Sequence, residues 1–236
     1  QSHYQRIRTL MKYLNKTLGL AFMLGLVASC NTPAEKEKNA EAVSPSSKEW
    51  LGTIKLNDST DLNFEFITRL DQGDFWVING VDTVKAKLFE EDSLYKVEFP
   101  VFANYLLVVW AEDELSGRYI NPDGEDYVLP FKATPLKDKR RYPADAGEEQ
   151  GLQGKWEMRF NPNTEKAREA LAFFEVEGKE WRGSVMTTTG DYRFLSGGLS
   201  GQTLRLSTFD GGFLYYFEWC CETKFISRAD LRIYFY

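Results

Sequence analysis

The chain of 236 residues carries 29 Lys and Arg against 35 Asp and Glu, a formal net charge of −6. That balance excludes a nucleic-acid binder, because a basic patch supplies most of the affinity for a phosphate backbone. One histidine, His3, and three cysteines, Cys30, Cys220 and Cys221, provide neither a clustered ligand set nor a CxxC pair, so no metal, cofactor or dithiol centre is implied.

Taken from the start, residues 1–10 hold Arg6 and Arg8 without an apolar period. They read as upstream translated sequence, with Met11 as the natural start. Lys12 and Lys16 then precede the apolar run LGLAFMLGLVASC, Leu18 to Cys30. A basic start, an apolar run of about a dozen residues and a small-residue close follow the order of a signal peptide. The run is too short to span a bilayer, which needs about 20 apolar residues. Val27, Ala28, Ser29 and Cys30 resemble the lipobox of bacterial lipoproteins. The resemblance implies a diacylglycerol thioether on Cys30, cleavage before it, and acylation of the new amino terminus. Acyl chains contribute roughly 0.8 kcal/mol per buried CH₂, and more than one chain makes anchoring stable. The expected mature protein is exported and lipid-anchored in a Gram-negative cell envelope, facing periplasm or surface. Its partner there is the membrane, reached through the acyl chains. Loss of residues 1–29 removes four basic residues and no acid, which leaves 25 basic against 35 acidic and a net charge of −10. The anchor, rather than adsorption to anionic lipid, then carries attachment.

Residues 30–48 contain NTPAEKEKNAEAVSPSS, charged and small with no aromatic residue, and read as a flexible tether. From residue 49 to 136 the pattern changes to short alternating runs, among them Leu62 to Thr68, Phe75 to Asn79, Thr83 to Phe89 and Tyr105 to Ala111. Polar turn clusters separate them, of which Asn79-Gly80 is the sharpest hairpin signal because both positions of a tight turn tolerate positive φ. Such spacing predicts an all-β fold, an antiparallel meander barrel or sandwich. The runs Glu90-Glu91-Asp92 and Glu112-Asp113-Glu114 lack the ligand periodicity of a calcium loop and read as solvated hairpin tips.

Residues 137–151 (KDKRRYPADAGEEQG) are charged and turn-rich and read as a linker. A second β-rich half follows over 152–236, with an alanine- and charge-rich Thr164 to Ala172 expected to form a helical turn or two. Each half opens on a Trp near a Gly (Trp50 with Gly52, Gly154 with Trp156) and proceeds through Gly-centred hairpins. Two similar halves of about 85 residues are therefore expected. Trp50, Trp76, Trp110, Trp156 and Trp181 suit a buried core better than a sugar-stacking platform, since alternating strands bury aromatic residues by default.

Gly154-Lys155-Trp156, the run GSVMTTTGDYRFLSG from Gly183 to Gly197 and the run LRLSTFDG from Leu204 to Gly211 resemble the domain that precedes the thioredoxin fold in envelope-anchored TlpA-like thiol-disulfide oxidoreductases. The likeness extends more loosely back to Trp50. It implies a non-catalytic accessory or positioning domain whose partner is a downstream thioredoxin-like domain bearing WCxxC. Trp219-Cys220-Cys221 lacks the two-residue spacer and the helix start that activate such a dithiol, so no redox role is expected of it. The tail after about residue 218 is read either as a shifted or truncated frame replacing the redox domain, or as a divergent end with Leu231 to Tyr236 as a last strand. Asp191, Arg193 and Asp210 suit a ligand mouth where two loops converge, and equally the tight turns that Thr-Gly-Asp and Phe-Asp-Gly favour. The rival reading is a free-standing all-β envelope lipoprotein that binds a small apolar ligand or glycan.

Overall fold

The computed structural model describes residues 47–124, 127–145, 151–160, 164–165 and 167–219, with 220 and 232–234 as backbone. Residues 1–46, which hold the run read as a signal peptide, Val27 to Cys30 and most of the stretch read as a tether, lie outside the described residues. Among the described residues the fold is all-β. Its first eight strands are β1 (Lys48–Asn57), β2 (Thr60–Arg69), β3 (Asp74–Asn79), β4 (Asp82–Glu91), β5 (Leu94–Glu98), β6 (Tyr105–Ala111), β7 (Glu114–Ile120) and β8 (Val128–Pro135). Each pairs antiparallel with the next, and β8 returns to β1 through Trp50↔Pro135 to Ile54↔Phe131, closing a barrel. The β3–β4 hairpin expected at Asn79-Gly80 forms one residue later: Asn79 pairs with Asp82 as the last residue of β3, so Gly80 and Val81 make the turn, and only Gly80 takes a positive φ, +58.

The second meander comprises β9 (Gly154–Phe160), β10 (Arg168–Glu177), β11 (Glu180–Thr187), β12 (Gly190–Ser200), β13 (Thr203–Phe209), β14 (Leu214–Cys220) and β15 (Arg232–Tyr234). Its sheet is open, with β9 and β15 at the edges. Both halves are antiparallel meanders, and they differ in closure. The helical turn expected within Thr164 to Ala172 is corrected: Arg168 onward belongs to β10, where Ala170, Ala172 and Phe174 are buried at a period of two. A helical period would have turned one of the three away from the core. In the tail, Arg232–Tyr234 pairs with β14 from Glu218↔Arg232 to Tyr216↔Tyr234.

Aromatic side chains fill the barrel. Trp50, Phe64, Phe66 and Phe75 are all 1% exposed or less, and the rings of Phe66 and Phe75 stack at 4.4 Å. Gly52 makes room for them, because a Cβ there would lie 2.9 Å from the Phe64 ring. The indole N–H of Trp50 donates to Thr68 Oγ1 at 2.9 Å, so the buried polar edge is satisfied. Of the other tryptophans, Trp181 is buried in the second core, and Trp110 and Trp156 pack partly buried against the first and second cores respectively, whereas Trp76, expected in the core, alternates with Phe75 and Val77 onto the outer face of β3, where the Lys85 ammonium lies over its ring at 4.8 Å.

One face of the second sheet curls around its own core, so that Trp156 on β9 meets Trp219 on β14 at 6.0 Å. The opposite face of β13 and β14 packs on the barrel: Phe209, Leu214 and Tyr216 belong to the barrel's hydrophobic cluster. Phe209 reaches Phe64 at 4.6 Å and Phe99 at 5.2 Å. On β12 a register shift opposite Gly183 to Val185 forms a bulge, and Phe194 there adopts φ +57 with its ring 41% exposed. Bulges of this kind re-aim a side chain.

Truncating Phe64→Ala is expected to cost about 3–5 kcal/mol, the range for emptying a packed aromatic site. Because Phe209 of the second sheet sits in the same cluster, barrel and sheet should unfold in urea as one transition. Two separate transitions by tryptophan fluorescence would contradict this coupling.

Candidate functional site

The seam between barrel and sheet concentrates the buried polar groups. The chain leaves β8 through Leu136, whose amide donates to the Glu49 carbonyl at 2.9 Å, and turns at Lys137 to Lys139. It then crosses to the second sheet as a strap over Arg140 to Asp145. The Asp145 amide donates to the Leu199 carbonyl at 2.9 Å, and its carboxylate accepts from Ser200 Oγ and the Gly201 amide. Those two donors hold the Asp145 carboxyl below its ordinary range. Glycine is required beneath the strap, since a Cβ on Gly198 would lie 2.6 Å from the Pro143 carbonyl oxygen.

Arg141 lies at the centre of the seam, 3% exposed. Its guanidinium donates to the Ser207 carbonyl on β13 at 3.0 Å and to the Ile78 carbonyl on β3, so one cation joins the two sheets. Its own carbonyl accepts from Asn63 Nδ2 at 2.8 Å. Burial lowers the Arg141 pKa, and the carboxylates of Glu65 and Glu180 work against that. Tyr142, also buried, accepts at its hydroxyl from the Asn63 amide at 3.0 Å; desolvation pushes its pKa up to about 12. Ser207 Oγ donates to the Asn63 carbonyl. Asn79 completes the junction by pairing its side-chain amide with the Phe209 backbone, donating at 2.7 Å and accepting at 3.2 Å.

A cleft of about 490 Å³ opens beside this network, lined by Glu65, the strap from Leu136 to Tyr142, Lys179, Glu180 and Gly197. Five of these side chains are basic and three acidic. Glu180 accepts from Ser196 Oγ and binds Arg182 at 3.0 Å. Burial raises the Glu65 carboxyl above its ordinary value, Arg141 opposes the shift, and Glu180 and Glu49 reinforce it. Nucleophilic chemistry needs a hydroxyl or thiol held by a base that a third group orients. Here Ser196 faces a carboxylate that is already committed to Arg182, and the arrangement ties β11 to β12 within one sheet.

The residues read from sequence as a ligand mouth take other duties. Asp210 Oδ1 accepts from the amides of Gly212 at 3.0 Å and Phe213 at 2.7 Å, capping the β13–β14 turn. Asp191 and Arg193 pair with each other at 2.8 Å on β12 near the Thr187 to Gly190 hairpin. The structure thus brings Asp191 to Arg193, while Asp210 serves its own turn. That turn is itself a docking element. A Cβ on Gly211 would lie 2.1 Å from Phe99 and one on Gly212 2.3 Å from Phe102, and the carbonyls of both glycines accept from the Tyr119 hydroxyl at 3.2 and 3.1 Å. Phe-Asp-Gly-Gly therefore plugs the barrel. Sequence reading missed Arg141, Tyr142 and Asn63, and it read Asn79 only as a turn residue; the one available signal was an Arg-Tyr-Pro step inside an otherwise charged run. Cys30, with Val27, Ala28 and Ser29, read as its lipobox, and the Cys220 and Cys221 side chains lie outside the described residues. Comparison with family models, with curated proteins and with solved structures finds no match to this chain.

Two substitutions probe the seam. Arg141→Met strands the Ile78 and Ser207 carbonyls and is expected to cost roughly 3 kcal/mol in urea unfolding. For Glu65, an acid whose pKa is higher in the fold contributes stability that is fully present below its ordinary value of 4.5 and is lost as pH rises through the raised value. Glu65→Gln is therefore expected to flatten the decline in thermal midpoint as pH rises above about 4.5; an unchanged profile would assign that decline to another group.

Proposed function

We propose that the chain is a non-catalytic positioning module of an exported lipoprotein, held to the cell envelope by acyl chains on Cys30 and serving a TlpA-like thiol-disulfide oxidoreductase. The observation that supports a positioning role best is the filled, single-bodied fold. The barrel core is packed with rings, its end is plugged by Phe209, and a buried arginine ties it to the second sheet. A rigid body of that kind transmits position. A barrel that binds a small ligand keeps an open interior, as lipocalin-type barrels do, and the packed core counts against that rival. The runs around Gly183 to Gly197 and Leu204 to Gly211 support the oxidoreductase association, and the order Leu18 to Cys30 supports the anchor.

The anchor is tested by Cys30→Ala. Wild-type protein is expected in the membrane fraction and labelled by radioactive palmitate, whereas the variant loses the label and leaves the membrane. Retention of the variant in the membrane fraction would sink the anchor. The oxidoreductase association is tested by reading the genomic DNA beyond the codon for Tyr236 in all three frames, where a WCxxC segment is expected; its absence would overturn that part of the reading while leaving the anchor standing.

A further inference from the structure

A residue that locks the barrel to the second sheet also stands at the chemically most labile step of the chain. Asn79 ends β3, and Gly80 and Val81 make the turn to β4. The sequence holds no other Asn-Gly pair. The backbone nitrogen that follows an asparagine is placed to attack the side-chain carboxamide carbon, and glycine opposes that approach least because it has no Cβ. A new C–N bond closes a succinimide ring, and the carboxamide nitrogen leaves as ammonia. Water then opens the ring at one carbonyl or the other and gives aspartate or isoaspartate, the latter with the main chain routed through the side-chain carbon. Water is the only co-reactant.

The fold withholds the reacting group. Asn79 is 2% exposed. Its Nδ2 donates to the Phe209 carbonyl at 2.7 Å and its Oδ1 accepts from the Phe209 amide at 3.2 Å, so the carboxamide is held across the seam on β13. Attack by Gly80 needs the carboxamide to turn back toward its own chain, and hydrolysis needs water beside it. Both break the pair with Phe209. That pair belongs to a group of bonds between β3 and β13: the Arg141 guanidinium binds the carbonyl of Ile78, the neighbour of Asn79, and the carbonyl of Ser207 on the same strand as Phe209. Freeing the carboxamide therefore means parting the two strands, a local opening that need not unfold the whole molecule.

We propose that Asn79 is a modification site gated by the seam: its carboxamide reacts with the Gly80 nitrogen only in molecules whose barrel and second sheet have parted at β3 and β13, and the product keeps them from rejoining in the native arrangement. Aspartate at this position has no donor for the Phe209 carbonyl and, when ionised, sets an unpaired charge in a buried place. Isoaspartate lengthens the main chain by one carbon at the last ladder pair of the hairpin, Asn79↔Asp82. Each opening that the reaction captures is thus made permanent, and the deamidated fraction accumulates with the time the seam has spent open.

The test incubates the full chain in detergent at mildly alkaline pH and follows its tryptic peptide Leu70 to Lys85, in which Asn79 is the only asparagine, by mass spectrometry. Fragment ions locate the exchange of NH₂ for OH at residue 79. The folded chain is expected to convert at least about tenfold more slowly than the same chain in concentrated urea, the factor that an opening free energy of about 1.4 kcal/mol sets. Arg141→Met, which removes the neighbouring tie, is expected to convert about tenfold faster than wild type under native conditions. Should that variant not fold, wild type in urea below its unfolding transition gives the same readout, with a rate that rises as urea is added. Asn79→Asp reproduces one product and is expected to unfold at a lower urea concentration than wild type. Equal rates in the folded and unfolded chain, a native rate indifferent both to Arg141→Met and to sub-transition urea, or an unchanged urea midpoint in Asn79→Asp would each overturn the proposal.

Discussion

A buried guanidinium holds the two sheets together. Placing Arg141 at the seam removes a cation from water, which is costly unless its donors find acceptors. Its two terminal nitrogens find backbone carbonyls, one on β3 and one on β13, at positions that the ladder of each sheet determines, while among the described residues Nε is buried without a partner. The cation therefore reads the relative placement of the two sheets. A displacement that broke either bond would leave a buried donor or carbonyl without compensation. Hydrophobic contact through Phe209, Leu214 and Tyr216 also holds the halves together, and it is non-directional. Direction comes from Arg141, Asn79 and the Tyr119 hydroxyl, each bonding to the main chain of the opposing half.

This division explains why the FDG run does so much in few residues. Phe209 supplies apolar area to the barrel, Asp210 satisfies two turn amides, and the two glycines allow Phe99 and Phe102 to approach closer than any side chain would permit. Read as chemistry, Asp210 invites a ligand. Its donors show a turn whose surroundings are the neighbouring half of the same molecule.

Much of the architecture was legible because strands report themselves locally. Alternation marked Phe75 to Asn79 and Tyr105 to Ala111, and Asn79-Gly80 announced its hairpin by the backbone freedom it needs. The closing of β8 on β1 left no local mark, since it depends on how twist and tilt accumulate over eight strands. Arg141 was illegible for a related reason. Among Lys137, Lys139 and Arg140 it looks like one more solvated cation, and only the carbonyls that three-dimensional packing brings to it set it apart. Residues 168–172 were misread because alanine and charge favour helix in isolation, whereas tertiary burial at a period of two overrode that preference.

Closure of the barrel has a kinetic side. Ile54 waits for Phe131, and the Asn63 carbonyl waits for a hydroxyl 144 residues further on. Contacts so distant in sequence make folding slow, because the entropy of joining them is spent before they reward it. A chain emerging amino terminus first cannot complete its early strands until nearly all of it has appeared. Such a topology leaves the early strands without their partners for most of the folding process, and delays the final body until strands far apart in the chain are present together.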